Sequence, residues 1–371
     1  MNVSSISNCF GCGVCITICP KHIISLYLNK DGFYVPRIEN DKQCIECGLC
    51  IDVCAYKNKQ YHTPISEVHA FASWSQDPMV RHNSSSGGTG FEIARTLIIE
   101  GYKFIGVRYN AEKERAEHYV ALSESELIDS MGSKYIQSYT TDGFGSIKKG
   151  EKYLIVGTPC QIASLRRFIK IKHMEDDVVL IDFFCHGVPS LNMWHKYAKE
   201  AEKRVGKLIY ASWRNKQSGW HESYSMQLIG GNGYISKKRT ERDHFYKFYL
   251  GNMCFNKACY DDCQYKMLNS SADIRIGDLW GSKYVDNEFG VTGVIAFTSF
   301  GNTILNRSNI ELLAESVETV TEGQMRESLA TPYYYGLLMW LFRTPLKLKI
   351  IYLIVQLLRI GTILKYKMHL K

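Results

Sequence analysis

The sequence predicts an α/β protein with a small cysteine-rich module at its N-terminus and a basic helical tail at its C-terminus. Three observations carry this prediction: two regular cysteine runs in the first sixty residues, strand–turn–helix segments in the middle, and a C-terminal stretch without acidic residues. The chain has 371 residues and is 45% hydrophobic, which suffices for a sizeable core and more than one domain.

The two cysteine runs are the most specific feature. They read Cys9-x-x-Cys12-x-x-Cys15-x-x-x-Cys19-Pro20 and Cys44-x-x-Cys47-x-x-Cys50-x-x-x-Cys54. This spacing is typical of bacterial proteins with two [4Fe-4S] clusters, in which the fourth cysteine of each run ligates the other cluster. We therefore expect one cluster on Cys9, Cys12, Cys15 and Cys54, and a second on Cys44, Cys47, Cys50 and Cys19. The alternative, structural zinc, usually takes pairs of cysteines and four ligands.

The rest of the module and its surroundings are consistent with that interpretation. Residues 23–38 predict a hairpin that turns at Lys30-Asp31-Gly32, and Tyr56–Pro64 predicts a polar linker. Eight of the thirteen cysteines lie in the runs and need to be reduced, so we expect a cytoplasmic protein. No secretory signal and no apolar stretch long enough to span a bilayer is visible.

The first half of the body predicts a strand at Val68–Trp74 and then a Ser/Gly loop, Ser84–Gly90, that leads into an amphipathic helix. Such a loop can bind phosphate through backbone N–H groups at a helix N-terminus, or it can be a plain N-cap. Two more strands are expected at Lys103–Arg108 and His118–Leu122. The following turn contains Lys134, which contacts either a ligand or only solvent.

The second half predicts strands at Tyr153–Val156 and Val178–Phe184, each followed by a turn and a helix. This repetition indicates a parallel layer with its chemistry at the carboxyl ends of the strands. Cys160 is expected in the first turn of a helix, where the helix dipole lowers a thiol pKa. Four further cysteines are expected at turns, namely Cys160, Cys185, Cys259 and Cys263. They either bind a further cluster or are buried free thiols.

Six motifs in this order resemble the coenzyme F-420 hydrogenase/dehydrogenase beta-subunit family, up to about Ala330. They are the dicluster module, Ser84–Gly88, Gly132–Tyr135, Gly157–Gln161, Cys185–Ser190 and Ile276–Gly281. The chain looks most similar to bacterial members associated with polysaccharide biosynthesis. The implied architecture is a ferredoxin domain at 1–60, two parts of a mixed α/β flavin-binding body at 66–150 and 151–330, and a basic helical tail at 331–371.

The resemblance also implies FAD beside the clusters. The residues it assigns to the flavin are Ser85, Ser86, Gly87, Gly88, Ser133, Lys134 and Thr158. It raises the case for a third [4Fe-4S] cluster on the four turn cysteines, although Cys259 and Cys263 are separated by three residues where the family more often has two. Cys254 could substitute for one of them. His118, His186 and Asp278 are candidates for proton handling, each with a structural role as the alternative.

The implied function is that of an iron–sulfur flavin oxidoreductase. Electrons would pass between clusters and FAD, with ferredoxin or another redox protein on one side and an organic substrate or deazaflavin on the other. The alternative is a non-catalytic electron-transfer or scaffold subunit that serves a partner enzyme.

The tail accounts for the basic charge of the protein. Residues 328–371 contain seven Lys or Arg and no Asp or Glu, so the rest of the chain is nearly neutral despite a net charge of +8. A nucleic-acid partner is therefore not expected. Apolar residues from Leu346 to Leu358 follow helical spacing, which predicts a helix that lies on an anionic membrane surface, packs on the body, or pairs with another subunit in a homo-oligomer or other assembly.

Overall fold

The N-terminal module is a β-hairpin with a short helix on each side. The computed structural model describes residues 2–58, 68–241, 243–261 and 263–369, so most of the predicted linker lies outside the described residues. Strands β1 (Ile24–Leu28) and β2 (Tyr34–Ile38) pair antiparallel, as the hairpin prediction requires. Helices α1 (Val14–Ile18) and α2 (Leu49–Asp52) each begin after a glycine with positive φ, Gly13 and Gly48. These glycines allow the cysteine loops to turn directly into a helix.

The body is organised on mixed β-sheets. Its remaining strands are β3 (His69–Ser75), β4 (Lys103–Asn110), β5 (Arg115–Ala121), β6 (Ser138–Tyr139), β7 (Tyr153–Val156), β8 (Val178–Phe183), β9 (Leu208–Asn215), β10 (Ser225–Gly230), β11 (Gly233–Lys238), β12 (Ile274–Asp278), β13 (Thr292–Ala296) and β14 (Ile310–Glu315).

Nine of these strands form one sheet in the order β14-β3-β13-β12-β8-β7-β4-β5-β6. The central strands β4, β7, β8 and β12 are parallel, which confirms the layer predicted from the strand–turn–helix segments. Outside this centre, the pairs β12–β13, β13–β3, β3–β14 and β4–β5 are antiparallel. The whole sheet is therefore mixed. Strands β9, β10 and β11 form a separate antiparallel sheet.

The helices cover these sheets. They are α3 (Pro78–Asn83), α4 (Thr89–Ile99), α5 (Glu124–Leu127), α6 (Thr141–Gly145), α7 (Pro159–Lys172), α8 (Leu191–Val205), α9 (His244–Tyr249), α10 (Ser299–Arg307), α11 (Val317–Thr321), α12 (Tyr335–Leu341) and α13 (Leu348–His369). Helix α7 follows β7 directly, with Pro159 at its first position, where a missing N–H costs nothing.

The module and the body share one apolar core. Val14 and Ile18 of α1 pack in the same buried cluster as Phe144, Ile162 and Leu165 of the body. Burial of apolar side chains from both parts holds the module against α7. The cysteine runs therefore lie next to the helix that begins at the turn of Cys160.

The tail is docked along one side of the body. Leu348 and Ile351 of α13 are fully buried in a cluster that also contains Trp194 and Phe248. The ammonium of Lys196 on α8 donates to the carbonyls of Thr344 and Leu346 at 2.7 and 2.8 Å. Among the described residues, no helix combines the length and apolar character that crossing a bilayer requires.

Candidate functional site

Four cysteines from the two runs converge beside α7. Burial raises the pKa of the Cys15 thiol well above its usual value, and Cys12, Cys9 and Cys54 raise it further because four thiols crowd one another. Burial and Cys54 likewise raise the pKa of Cys12 to about 11. Four thiols gathered in one buried place are a donor set for an iron–sulfur cluster, in which the iron offsets the charge of the thiolates. The structure thus brings together the set Cys9, Cys12, Cys15 and Cys54.

The other four cysteines of the runs differ in exposure: Cys47 is exposed, Cys44 is half-buried, and Cys19 and Cys50 are buried. Burial raises the pKa of Cys50, and Cys47 and Cys19 raise it further. A small surface cavity is lined by Cys19, Cys44, Cys47 and Cys50 together. The Cys47 side chain is exposed, whereas Cys15 and Cys54 of the first group are buried. Cys19 of the first run thus lies with three cysteines of the second run, and Cys54 of the second run lies with three of the first. The crossed ligation of two clusters stays a prediction.

A third group forms where β7 and β8 end. Burial raises the pKa of Cys259 to about 12, with contributions from Cys185 and Cys263. Cys160 joins them, because its thiol is affected by both Cys259 and Cys185. Parallel neighbouring strands end at the same edge of the sheet, which is why turns distant in sequence meet there. The four turn cysteines of the sequence prediction lie together.

Two details of that prediction are corrected. The helix dipole at α7 was expected to lower the pKa of Cys160, but burial outweighs it and raises that pKa well above its usual value. Cys254 does not substitute for Cys259 or Cys263. Its pKa is raised by burial alone, without contribution from another cysteine, and its side chain packs among aromatic residues such as Phe255 and Tyr260.

A site for a single metal ion needs its ligands closer together than a four-iron cluster does. Within the described ranges, no three His, Cys, Asp or Glu side chains are placed to hold one metal ion. A cubane is larger than an ion and holds its four ligands farther apart.

Helix α7 connects the first and third cysteine groups. Ser164, one helical turn after Cys160, has its Oγ 3.4 Å from Cys12 Sγ and accepts a hydrogen bond from Ala55 N at 3.1 Å. One turn is about 5.4 Å along the axis. Small and aromatic side chains fill the space between the two cysteine groups. They include Phe10, Ala55, Ala163, Ala258 and Tyr265. Ser164 was not predicted from the sequence, although its i+4 spacing from Cys160 on the predicted helix places it on the same helix face.

Lys266 is a second residue that the sequence analysis missed. Its ammonium donates to the carbonyl of Cys185 at 2.8 Å and to that of His186 at 3.3 Å. The positive charge favours the thiolate form of Cys185, against the larger effect of burial, which raises that pKa. Lys266 thus both shapes the loop that carries Cys185 and balances negative charge at the third group.

The residues expected at a flavin form a loop and a turn that meet. Ser133 N donates to Ser85 Oγ at 2.7 Å, and Gly87 N donates to Thr292 Oγ1 at 2.9 Å. Ser86 Oγ donates to Val291 O at 2.7 Å. Gly88, with φ of 90°, is the N-cap of α4. The Ser/Gly loop is therefore held in place at a helix N-terminus, the local geometry that suits a phosphate.

Lys134 and Thr158 have other partners in this structure. The Lys134 ammonium donates to the carbonyls of Asp129, Ser130 and Met131 at 2.8 to 3.1 Å, and burial lowers its pKa to about 7. Thr158 is the N-cap residue of α7, and its Oγ1 lies 3.2 Å from Cys160 Sγ. Thr158 thus belongs to the surroundings of the third cysteine group.

The three proton-handling candidates occupy different places. His118 Nε2 lies 3.2 Å from Val156 O in the core, and burial lowers its pKa to about 4. His186 follows Cys185, and burial lowers its pKa to about 4 as well. Both rings are neutral near pH 7. Asp278 receives two hydrogen bonds from Arg214, at 2.9 and 3.0 Å.

Aromatic rings connect His186 with Asp278. The His186 ring contacts Tyr249 with centroids 5.3 Å apart, and Tyr249 stacks on Tyr135 at 4.7 Å. Arg214 lies 3.3 Å from the Tyr135 hydroxyl and pairs with Asp278. The third cysteine group is therefore bordered by a continuous row of rings that ends at a buried ion pair.

Two parts of the chain match models of known protein families. Residues 150–320 match a family model that describes the C terminus of the coenzyme F420 hydrogenase/dehydrogenase beta subunit. The chain carries the C-terminal domain of this beta-subunit family. Residues 8–58 match a 4Fe-4S dicluster domain, and both matches confirm the resemblance predicted from the motifs. The beta-subunit domain thus follows an iron–sulfur module, and the protein's chemistry is electron transfer.

Solved structures provide a further comparison. A chain of the F420-reducing [NiFe] hydrogenase complex from Methanosarcina barkeri aligns with this protein at 15% identity and a TM-score of 0.48, covering 76% of this chain and 88% of that one. No curated protein matches the sequence.

Proposed function

We propose that this protein is an iron–sulfur flavin oxidoreductase in which three cysteine-held [4Fe-4S] clusters form an electron path. The observation that supports it best is the contact between Ser164 and Cys12, one helical turn from Cys160. This contact makes the first and third groups neighbours. The path would run from the exposed group of Cys47, through the buried group of Cys12, to the group of Cys160.

The donor sets fit this assignment. Each group offers four thiols, and hydrophobic burial with few competing ligands is the setting in which clusters have tuned potentials. Lys266 would offset part of the negative charge of the third cluster. Its hydrogen bonds to the carbonyls of Cys185 and His186 fix that charge in position. The exposed side of Cys47 is where we place the contact with ferredoxin or another redox protein.

We further propose FAD as the group at the far end of the path. Ser85–Gly88 and Ser133 would border its phosphates at the N-terminus of α4, where the helix dipole favours an anion. Gly87 N and Ser133 N, which donate to Thr292 and Ser85 in this structure, would have to change partners to bind the phosphates directly. Bound FAD supplies the conversion between two-electron chemistry on an organic substrate or deazaflavin and one-electron transfer. The polysaccharide role stays part of this proposal, with an organic intermediate as the substrate.

One observation favours the second candidate, an electron-transfer subunit without its own flavin. Lys134 already has three carbonyl partners and Thr158 lies against Cys160, so neither is free for a flavin in this conformation. In a subunit without its own flavin, the third cluster would transfer electrons to a partner enzyme.

Iron, acid-labile sulfide and flavin contents of the anaerobically purified protein test both candidates. With three clusters we expect about twelve irons, and about eight after Cys160→Ala. Cys254→Ala is the matched control, because this buried cysteine stands apart from the group, and it should retain the wild-type content. About eight irons in all three proteins would contradict the third cluster. Absence of flavin would contradict the first candidate and favour the second, an electron-transfer subunit without its own flavin.

A further inference from the structure

Helices α12 and α13 leave an apolar face uncovered. Trp340, Leu353 and Leu357 are 53%, 52% and 69% exposed, and Ile350 and Ile360 are exposed as well. On α13 the exposed positions recur at intervals of three and four residues, so they share one face of the helix. We call Ile350, Leu353, Leu357 and Ile360 the outer face, and Trp340 is a further exposed ring on α12.

The opposite side of α13 is fixed to the body. Leu348, Ile351 and Val355 are fully buried, and Leu348 N donates to Glu200 Oε1 at 2.8 Å. The helix is therefore already docked through one face. Its outer face needs a different partner, because a row of large exposed apolar side chains is costly in water.

The charges around this face indicate which partner it takes. Arg343, Lys347, Lys349 and Arg359 are exposed on the same C-terminal segment, with Lys349 next to Ile350, and no acidic residue occurs between Ser328 and Lys371. In a two-fold dimer through this face, identical basic patches would face each other. An anionic surface instead attracts every one of these charges, while apolar side chains and a Trp ring enter the boundary beneath it.

We infer that the outer face binds an anionic lipid bilayer, with α13 lying along the surface rather than across it. The protein supplies the apolar insertion through Trp340, Leu353 and Leu357, and the attraction through the four basic residues. This inference is independent of the flavin and of the third cluster. It would place the electron path of the protein at the inner face of a membrane.

Vesicle flotation of the full-length holoprotein tests it, with phosphatidylcholine vesicles compared with vesicles that also contain phosphatidylglycerol. We expect the anionic vesicles to bind at least about tenfold more protein, since each basic residue near the surface contributes. Lys347→Gln/Lys349→Gln should reduce binding by about tenfold. Leu353→Asp/Leu357→Asp should abolish it. Ile209→Asp, at an exposed apolar position on β9, is the matched control and should float like the wild type.

Three outcomes would overturn the inference. These are equal flotation with both vesicle types, unchanged flotation of Leu353→Asp/Leu357→Asp, and a dimer in sedimentation that this double variant converts to a monomer while vesicles bind neither protein. Unchanged iron content in each variant shows that the fold is intact.

Discussion

Ser164 Oγ lies 3.4 Å from Cys12 Sγ, although the two residues are 152 positions apart. The serine accepts from Ala55 N, so its own proton is available to a thiolate. It sits on the helix that starts at Cys160, between two groups of four cysteines. A buried hydroxyl one helical turn after Cys160 thus contacts a cysteine of the neighbouring group.

Replacing Ser164 with alanine should lower the midpoint potential of the cluster that includes Cys12. A hydrogen bond donated to the sulfur stabilises the more negative, reduced cluster, so its loss favours the oxidised one. The expected shift is on the order of 50 mV for one electron. A redox titration followed by electron paramagnetic resonance measures it. Ser125→Ala, at an exposed serine, is the control, and equal midpoints for both variants would refute a tuning role for Ser164.

A chelator should remove the cluster of Cys44, Cys47 and Cys50 before the others, because Cys47 is exposed whereas the cysteines of the other two groups are half-buried or buried. Loss of absorbance at an iron–sulfur band during timed exposure would then show a fast and a slow phase. In the crossed arrangement, Cys19→Ala should eliminate the fast phase and Cys54→Ala a slow one. The reverse result would mean that each run holds its own cluster.

Gly87→Ala should destabilise the Ser/Gly loop. A Cβ at this position would collide with Ser73 O and crowd Thr292 Oγ1, both of which are fixed in the sheet. We expect a loss of about 1–3 kcal/mol in the free energy of unfolding, as for other overpacked sites, together with loss of flavin. Gly145→Ala is the control, since a Cβ there meets no atom within 4 Å. Denaturant unfolding and flavin absorbance give the two readouts, and a Gly87→Ala protein with wild-type flavin content would exclude the loop from the flavin site.

Arg275→Met should be strongly destabilising. Arg275 is fully buried, donates to both carboxylate oxygens of Asp182 at 2.6 and 2.7 Å, and also binds the carbonyl of Asn269 at 3.1 Å. Its removal leaves the buried carboxylate of Asp182 without a counter-charge, with only the Ser270 hydroxyl still donating to it, at a cost of about 3–5 kcal/mol. Denaturant unfolding measures this cost.

The exposed pair of Arg307 and Glu100 provides the control for Arg275. Arg307→Met should cost less than about 1 kcal/mol, because solvent screens the pair. Asp182→Leu/Arg275→Met should recover part of the loss, since it removes both charges. If the double variant were no more stable than Arg275→Met, the unpaired carboxylate would not be the cause.

Local features were predictable from the sequence because their causes are local. The hairpin between the cysteine runs follows from its turn residues, and the strand Tyr153–Val156 and the helix start at Pro159 agree with the structure. The antiparallel outer strands of the large sheet were not foreseen. Strand direction depends on the path of the chain between strands, which periodicity does not record.

By itself, the sequence determined the spacing of the two cysteine runs, the order of the family motifs and the basic character of the tail. Only the tertiary structure decided which distant residues meet. Cys160 and Cys185 meet because β7 and β8 are parallel neighbours that end at one edge of the sheet. Backbone contacts of Val188 and Pro189 with Asn256 and Phe255 bring the segment of Cys259 and Cys263 to the same place. Cys254 is excluded because its side chain packs into an aromatic core. The tail has two apolar faces, and the packing of α13 on the body decided which of them is left exposed.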